Sequence, residues 1–206
     1  VIVIGSGATA MTIVPSMTQK GAQVTMVQRS PTYVVSRPAE DKIANTLRKW
    51  LPEKWAYAIT RLKNTTLSGY FYRQTRSQPA KTKAQLLGMA TANLGEEMVK
   101  AHFTPSYNPW DQRMCLIPDG DLYKSINEGS AQVVTGDIET WTESGLVMKD
   151  GTEVAADIIV TATGINLTVM SGIAFDLDGT AISFPETFTY KGMMYSGIPN
   201  MAHTFG

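Results

Sequence analysis

The chain has 206 residues, 43% of them hydrophobic and 17% charged, a balance that suits a folded domain and excludes extended disorder. Eighteen Lys/Arg cancel eighteen Asp/Glu, so net charge gives no reason to expect nucleic acid or an anionic membrane as the main partner. A single cysteine, Cys115, and two histidines exclude an internal disulfide and any Cys/His cluster with metal-ligand spacing; no metal site is expected, and a reducing, cytoplasmic setting is.

Val1-Ile2-Val3-Ile4 is a wholly apolar, β-branched run stopped by Gly5, the pattern of a central parallel strand covered on both faces. From Thr9 to Lys20 the period is helical and ends at Gly21, and Val24 to Val27 reads as a second strand. Strand, glycine turn, helix and strand within about 30 residues make a βαβ unit. The chain opens inside its first strand pattern, with no signal-like segment ahead of it, and reads as a piece of a longer protein.

After Ser30-Pro31 the texture becomes helical. Ile43, Leu47, Trp50 and Leu51 share one face, Trp55, Ile59 and Leu62 repeat the spacing, and Pro38 suits a helix start. A polar stretch from Gln74 to Pro79 separates these from a further helix over Lys81 to about Lys100. This insertion, about 38–101, is locally basic, and a solvated face accounts for that. Strand patterns return at Ala131 to Val134, at Leu146 to Met148 with a turn into Glu153-Val154, and at Ile158 to Ala162; these join the first two strands. No apolar run reaches the roughly 18 residues of a membrane span. The fold class expected is α/β: a Rossmann-like domain with a parallel sheet and a helical insertion. The last forty or so residues, rich in Gly, Pro, Phe and Met, show no clear period.

Gly5-Ser6-Gly7-Ala8-Thr9-Ala10 places a Gly-x-Gly-x-x-Ala turn between a strand and a helix, the context in which the motif binds a dinucleotide. Gly5 permits the turn, Gly7 admits a pyrophosphate, and Ala10 keeps helix and sheet close. The helix N-terminus offers free N–H groups to the phosphates. A glycine turn that merely joins strand to helix is the bland alternative. The second strand ends in Gln28-Arg29-Ser30, where an NAD or FAD site would carry Asp or Glu. Arg29 suits a 2′-phosphate, so NADPH is the expected ligand; a solvated Arg29 is the alternative.

Val3 to Thr9, Gln28 to Tyr33, His102 to Asp121, Thr161 to Gly164 and Gly197-Ile198-Pro199-Asn200 together resemble the Baeyer–Villiger and flavin-containing monooxygenases, in the subgroup typified by an ethionamide-activating bacterial enzyme. The resemblance implies an NADPH-binding domain over 1–163 with the helical insertion inside it, and a truncated return to an FAD-binding domain over 164–206. It implies FAD as second cofactor in the full-length protein only, with this chain alone inactive. It further implies that Pro109 to Cys115 carries the family's active-site arginine at Arg113, a permanent cation beside charge that develops during oxygenation. Pairing of Arg113 with Asp111 or Asp119 is the alternative. Thr163 and Gly164 match the point at which the chain leaves the NADPH domain. The implied partners are O₂ and a small ketone, sulfur or nitrogen substrate, with no nucleic acid and no integral membrane segment. A monooxygenase that oxidises nitrogen or sulfur without forming esters, a non-oxygenating NADPH:flavin oxidoreductase and a stand-alone NADP-binding module stay open.

Overall fold

The computed structural model describes residues 1–112, 114–166 and 169–204. In chain order the first part runs β1 (Ile2–Ile4), α1 (Ala8–Thr18), β2 (Val24–Gln28), β3 (Val34–Arg37), α2 (Lys42–Trp50), α3 (Glu53–Ser77), α4 (Pro79–Leu94) and α5 (Glu96–His102). It continues with β4 (Cys115–Pro118), α6 (Asp121–Asn127), β5 (Ala131–Thr135), β6 (Ile138–Thr142), β7 (Gly145–Met148), β8 (Glu153–Ala155) and β9 (Ile159–Thr161). Contacts divide the chain into two units, Val1–Gly164 and Ile165–Gly206.

The apolar runs settle the centre of the first unit. Four parallel strands lie in the order β5-β2-β1-β9, with Val3 opposite Met26 on one side and Val160 on the other. Strand order therefore reverses at β1, whose neighbours are β2 and β9. On one face Val3, Val24, Met26 and Val133 pack against Ala10, Met11 and Val14 of α1, with Ala90 of α4, Val99 of α5 and Leu122 of α6 in the same cluster. On the other, Ile2, Ile4 and Val27 meet Leu146, Met148 and Val154. These last three come from an antiparallel sheet, β6-β7-β8, which forms the third layer. The expectation that 146–148 and 153–154 join the first sheet is thus corrected: only β5 and β9 do. β6 is an additional strand. It is mostly exposed, so it lacks an apolar run to announce it.

The insertion is helical as expected, with different punctuation. Pro38 starts no helix; Asp41 does, its carboxylate accepting from the N–H groups of Ile43 and Ala44. α3 runs straight through most of the polar stretch to Ser77, and Gly95, at φ 83°, divides the next helix into α4 and α5. β3 and β4, unannounced by the sequence, pair in parallel from Val34 and Cys115 to Arg37 and Pro118. Met11 and Met26 are buried core fillers, as their positions suggest.

The second unit holds two short hairpins, β10 (Asp176–Leu177) with β11 (Thr180–Ala181) and β12 (Thr189–Tyr190) with β13 (Met194–Tyr195). Phe184 sits edge-on to both Phe175 and Tyr195, which makes a small aromatic core where no periodicity was visible.

Candidate functional site at the carboxyl ends of β1, β2 and β9

The first turn after β1 is shaped by two glycines with different duties. Gly5 has φ 134°, and a Cβ on it would stand 2.3 Å from the carbonyl oxygen of Ala162 beyond β9; no side chain fits there. Its N–H donates to the Val27 carbonyl at 2.8 Å. Gly7 caps α1 with an ordinary φ of −84°, and a Cβ on it would meet nothing within 4 Å. The space above the helix N-terminus is open, and a methyl group would begin to fill it. No side chain caps α1, and the first helical bond runs from the Met11 N–H to the Gly7 carbonyl. The earlier amide groups of Ala8, Thr9 and Ala10 have no intrahelical acceptor. They form a positive cradle suited to an anion. Ala8 and Thr9 are exposed, whereas Ala10 is fully buried against the sheet.

Ser6 ties this turn to the end of β2, its hydroxyl donating to the Ser30 carbonyl at 3.3 Å. Arg29 and Ser30 are exposed on that same end. Gln28 is different: it is buried, and its amide nitrogen donates to the His102 carbonyl at 2.7 Å and to the Thr135 hydroxyl at 2.9 Å. Its amide oxygen is buried with no hydrogen-bond partner among the described residues. The Thr135 oxygen, having accepted from Gln28, has its own proton to give to Nδ1 of His102, 2.8 Å away. The neutral ring then carries its proton on Nε2. Burial lowers the His102 pKa below the ordinary histidine value. Thus Gln28 braces the end of β2 from beneath, while Arg29 is the residue that reaches solvent.

Thr163 and Gly164 follow β9 and are exposed, Gly164 with φ 94°. Because the Ala162 N–H donates to the Ile4 carbonyl at 2.7 Å, this segment leaves the sheet beside Gly5. The glycine turn, the end of β2 and the end of β9 are therefore gathered at the carboxyl ends of adjacent strands. That is where open parallel sheets bind nucleotides.

Arg113 lies outside the described residues. The segment around it is well anchored. The Cys115 thiol lies 3.5 Å from the Ser6 carbonyl oxygen, so β4 begins against the glycine turn. Upstream, the Tyr33 hydroxyl donates to the Tyr107 carbonyl at 2.6 Å, the two rings meet edge-on, and Thr32 and Tyr107 share a hydroxyl hydrogen bond. Asp111 holds Arg76 at 2.7 Å, and Asp119 accepts from the Ala39 N–H. These are the two carboxylates named above as alternative partners for Arg113. Sequence reasoning missed the contacts of Tyr33 with Tyr107 and of Gln28 with His102 and Thr135, which join positions more than 70 residues apart. Only the mixture of polar groups and aromatics near strand ends hinted at them.

Two concavities of this unit lie away from the cradle. One involves Thr18 and Gln19 at the far end of α1, and the other Val1, Gln23 and Gln132 at the amino ends of the parallel strands. The first also reaches Pro118 at the end of β4 and Asp121 at the start of α6, but Asp119, Asp121 and Glu128 make it acidic, and the second adjoins no helix N-terminus, so an anion favours the glycine turn.

No family model matches the chain. Over 208 aligned residues, however, it is 48% identical to the FAD-containing monooxygenase EthA of Mycobacterium tuberculosis, an alignment that takes in all of this chain. Over its whole length the chain is thus similar to the EthA-like FAD-containing monooxygenases. It spans 42% of the length of that relative. Among solved structures it is similar to OTEMO in complex with FAD and NADP, with a TM-score of 0.58 at 16% identity over 80% of this chain and 38% of that one. It is equally similar to oxidised steroid monooxygenase bound to NADP, with a TM-score of 0.58 at 21% identity over 79% of this chain and 37% of that one. Those structures establish the α/β fold with its Rossmann-type sheet. The expected resemblance is thus borne out over the whole chain.

Proposed function

We propose that the chain is the NADPH-binding portion of a cytoplasmic FAD-dependent monooxygenase that puts one oxygen atom of O₂ into a ketone or onto sulfur or nitrogen. Residues 1–163 are then the NADPH domain, with the helical insertion at about 38–101, and 164–206 return to the FAD domain. The observation that carries this reading is the exposed Arg29 at the end of β2, joined through Ser30 and Ser6 to an open, uncapped helix N-terminus.

The residues present fit the ligand. Gly7 leaves the room a pyrophosphate needs, and the amide groups of Ala8, Thr9 and Ala10 supply donors that cost no reorganisation. Arg29 supplies a planar, permanently charged fork for the 2′-phosphate. Thr163 and Gly164 flank the crevice beside Gly5, at the reversal of strand order. When bound, NADPH supplies hydride and FAD the oxygen-activating redox chemistry. Arg113 supplies a cation that never deprotonates, and Cys115 and Tyr107 hold the segment that carries it. Gln28, Thr135 and His102 keep the end of β2 rigid, which fixes where Arg29 begins.

Calorimetric titration of the full gene product tests this. Arg29→Ala should weaken NADPH binding by about 1.5–3 kcal/mol and leave NADH nearly unchanged. Equal loss for both cofactors would remove the 2′-phosphate from the assignment.

A further inference from the structure

The apolar residues that periodicity groups on α2 and α3 stand in solvent. Trp50 is 82% exposed on α2, beside Ile43; on α3, Trp55 is 64% and Leu62 68% exposed, with Ile59 and Tyr70 in the same row. Positions 55, 59, 62, 66 and 70 fall on one helical face and form an uncharged stripe about 22 Å long. It ends at Arg73. The two helices contribute little to the interior: Ala44 is the only buried residue of α2, and Ala56 and Thr75 are the only ones of α3. A pair between Lys63 and Asp41 holds the middle of α3 to the start of α2, so the helices lie alongside each other and present their apolar residues together.

Their charge is as lopsided as their burial. Between 42 and 77 there are eight Lys/Arg and one acid, Glu53. Lys63 and Arg76 have carboxylate partners; Lys42, Arg48, Lys49, Lys54, Arg61 and Arg73 form no salt bridge among the described residues. On α2, Lys42 and Lys49 stand together on one side of the Ile43 and Trp50 row. On α3, Lys54 and Arg61 border the stripe.

An apolar row rimmed by unmatched cations could meet a second copy of itself only by bringing two like-charged rims together. Water leaves the tryptophans and leucine unsatisfied. A surface of negative headgroups over hydrocarbon satisfies both parts, because Trp and Tyr suit the interface and long basic side chains reach back to the headgroups. We propose that the α2–α3 pair is a docking surface for an anionic lipid bilayer, lying in the plane of the interface. No helix among the described residues is long and apolar enough to cross a membrane. The zero net charge of the chain hides this surface, since the balancing acids lie elsewhere in the sequence.

The test is sedimentation of the full gene product with vesicles of phosphatidylcholine alone and of equal parts phosphatidylcholine and phosphatidylglycerol. Binding should be at least about tenfold stronger to the anionic vesicles and should fall as salt is raised. Trp55→Ser with Leu62→Ser, and separately Lys42→Glu with Lys49→Glu, should each cut that binding about tenfold or more with unchanged thermal melting. Trp55→Phe should retain it. Failure of the full gene product to bind anionic vesicles would overturn the proposal. So would hydrogen exchange showing α2 and α3 already covered in lipid-free protein, or a self-associated species that the same variants dissolve.

Discussion

At the residue scale, the two glycines of the turn separate folding from binding. Gly5→Ala sets a methyl carbon against the Ala162 carbonyl in a backbone region that L residues avoid, and should cost about 3 kcal/mol or more in chemical denaturation. Gly7→Ala has space and an ordinary φ. It should leave stability within about 1 kcal/mol and weaken NADPH instead, because the added methyl group occupies the phosphate's approach. Equal losses of stability in the two variants would contradict this division. His102 gives the pH dependence. Its folded pKa lies below its unfolded value, so the unfolded chain binds the extra proton first. The stabilisation is complete above the ordinary histidine value of about 6.5 and is lost as pH falls below it. Melting temperature should therefore drop between neutral pH and about pH 5. His102→Asn retains an acceptor for the Thr135 hydroxyl but cannot titrate, and should flatten that part of the profile. An unchanged slope would assign it to other groups.

At the scale of elements, legibility followed locality. β1 and its glycine turn were readable because strand, turn and helix start are consecutive and wholly patterned. β3 and β4 were not: they are short, partly exposed, and end in Arg37 and Pro118, so neither alternation nor an apolar run marks them. Helix boundaries failed where cap chemistry competed. Pro38 suited a helix start, but Asp41 has the carboxylate that two amide groups need. Asp41→Ala should speed hydrogen exchange at Ile43 and Ala44 while leaving the amides of α4 unchanged. Uniform acceleration through α2, α3 and α4 would show that the cap holds the whole insertion. Periodicity identified a face on α2 and α3 correctly as a face. It could not tell that nothing among the described residues covers it, since the same spacing serves core, interface and membrane.

At the scale of the whole molecule, the glycine turn proposed to cradle the cofactor was legible as a turn between strand and helix, and its bracing was not. Gly5 to Ala10 and Arg29 carry their chemistry in sequence, whereas Gln28, His102 and Thr135 meet only when the insertion returns to the sheet. The proposed role of Arg113 belongs here too, because it concerns the complete enzyme. Arg113→Ala in the full gene product should lose about 3–4 kcal/mol of stabilisation for the oxygenation step, read as product formed per NADPH consumed. NADPH consumption itself should fall much less. Lys at 113 should restore little, since it lacks the planar fork. Normal product yield from the Ala variant would remove Arg113 from the chemistry.

The parallel pairing of β3 with β4 has a consequence for the whole insertion. Two parallel strands can be joined only by a segment that travels back along the sheet, and here that return trip is everything from Pro38 to Met114. Its two ends are pinned, one by the strand pair and the other by the thiol of Cys115 against Ser6. Its length is not pinned, because closing a longer excursion between fixed ends costs only a slowly rising entropy. α4 and α5 are mortared into the core through Ala90 and Val99, whereas α2 and α3 hang outside it. The outer pair, tied back where Arg76 meets Asp111 and Arg37 lies over Phe71, is thus a cassette that evolution, or a protein engineer, can lengthen or recode while the proposed nucleotide cradle keeps its shape.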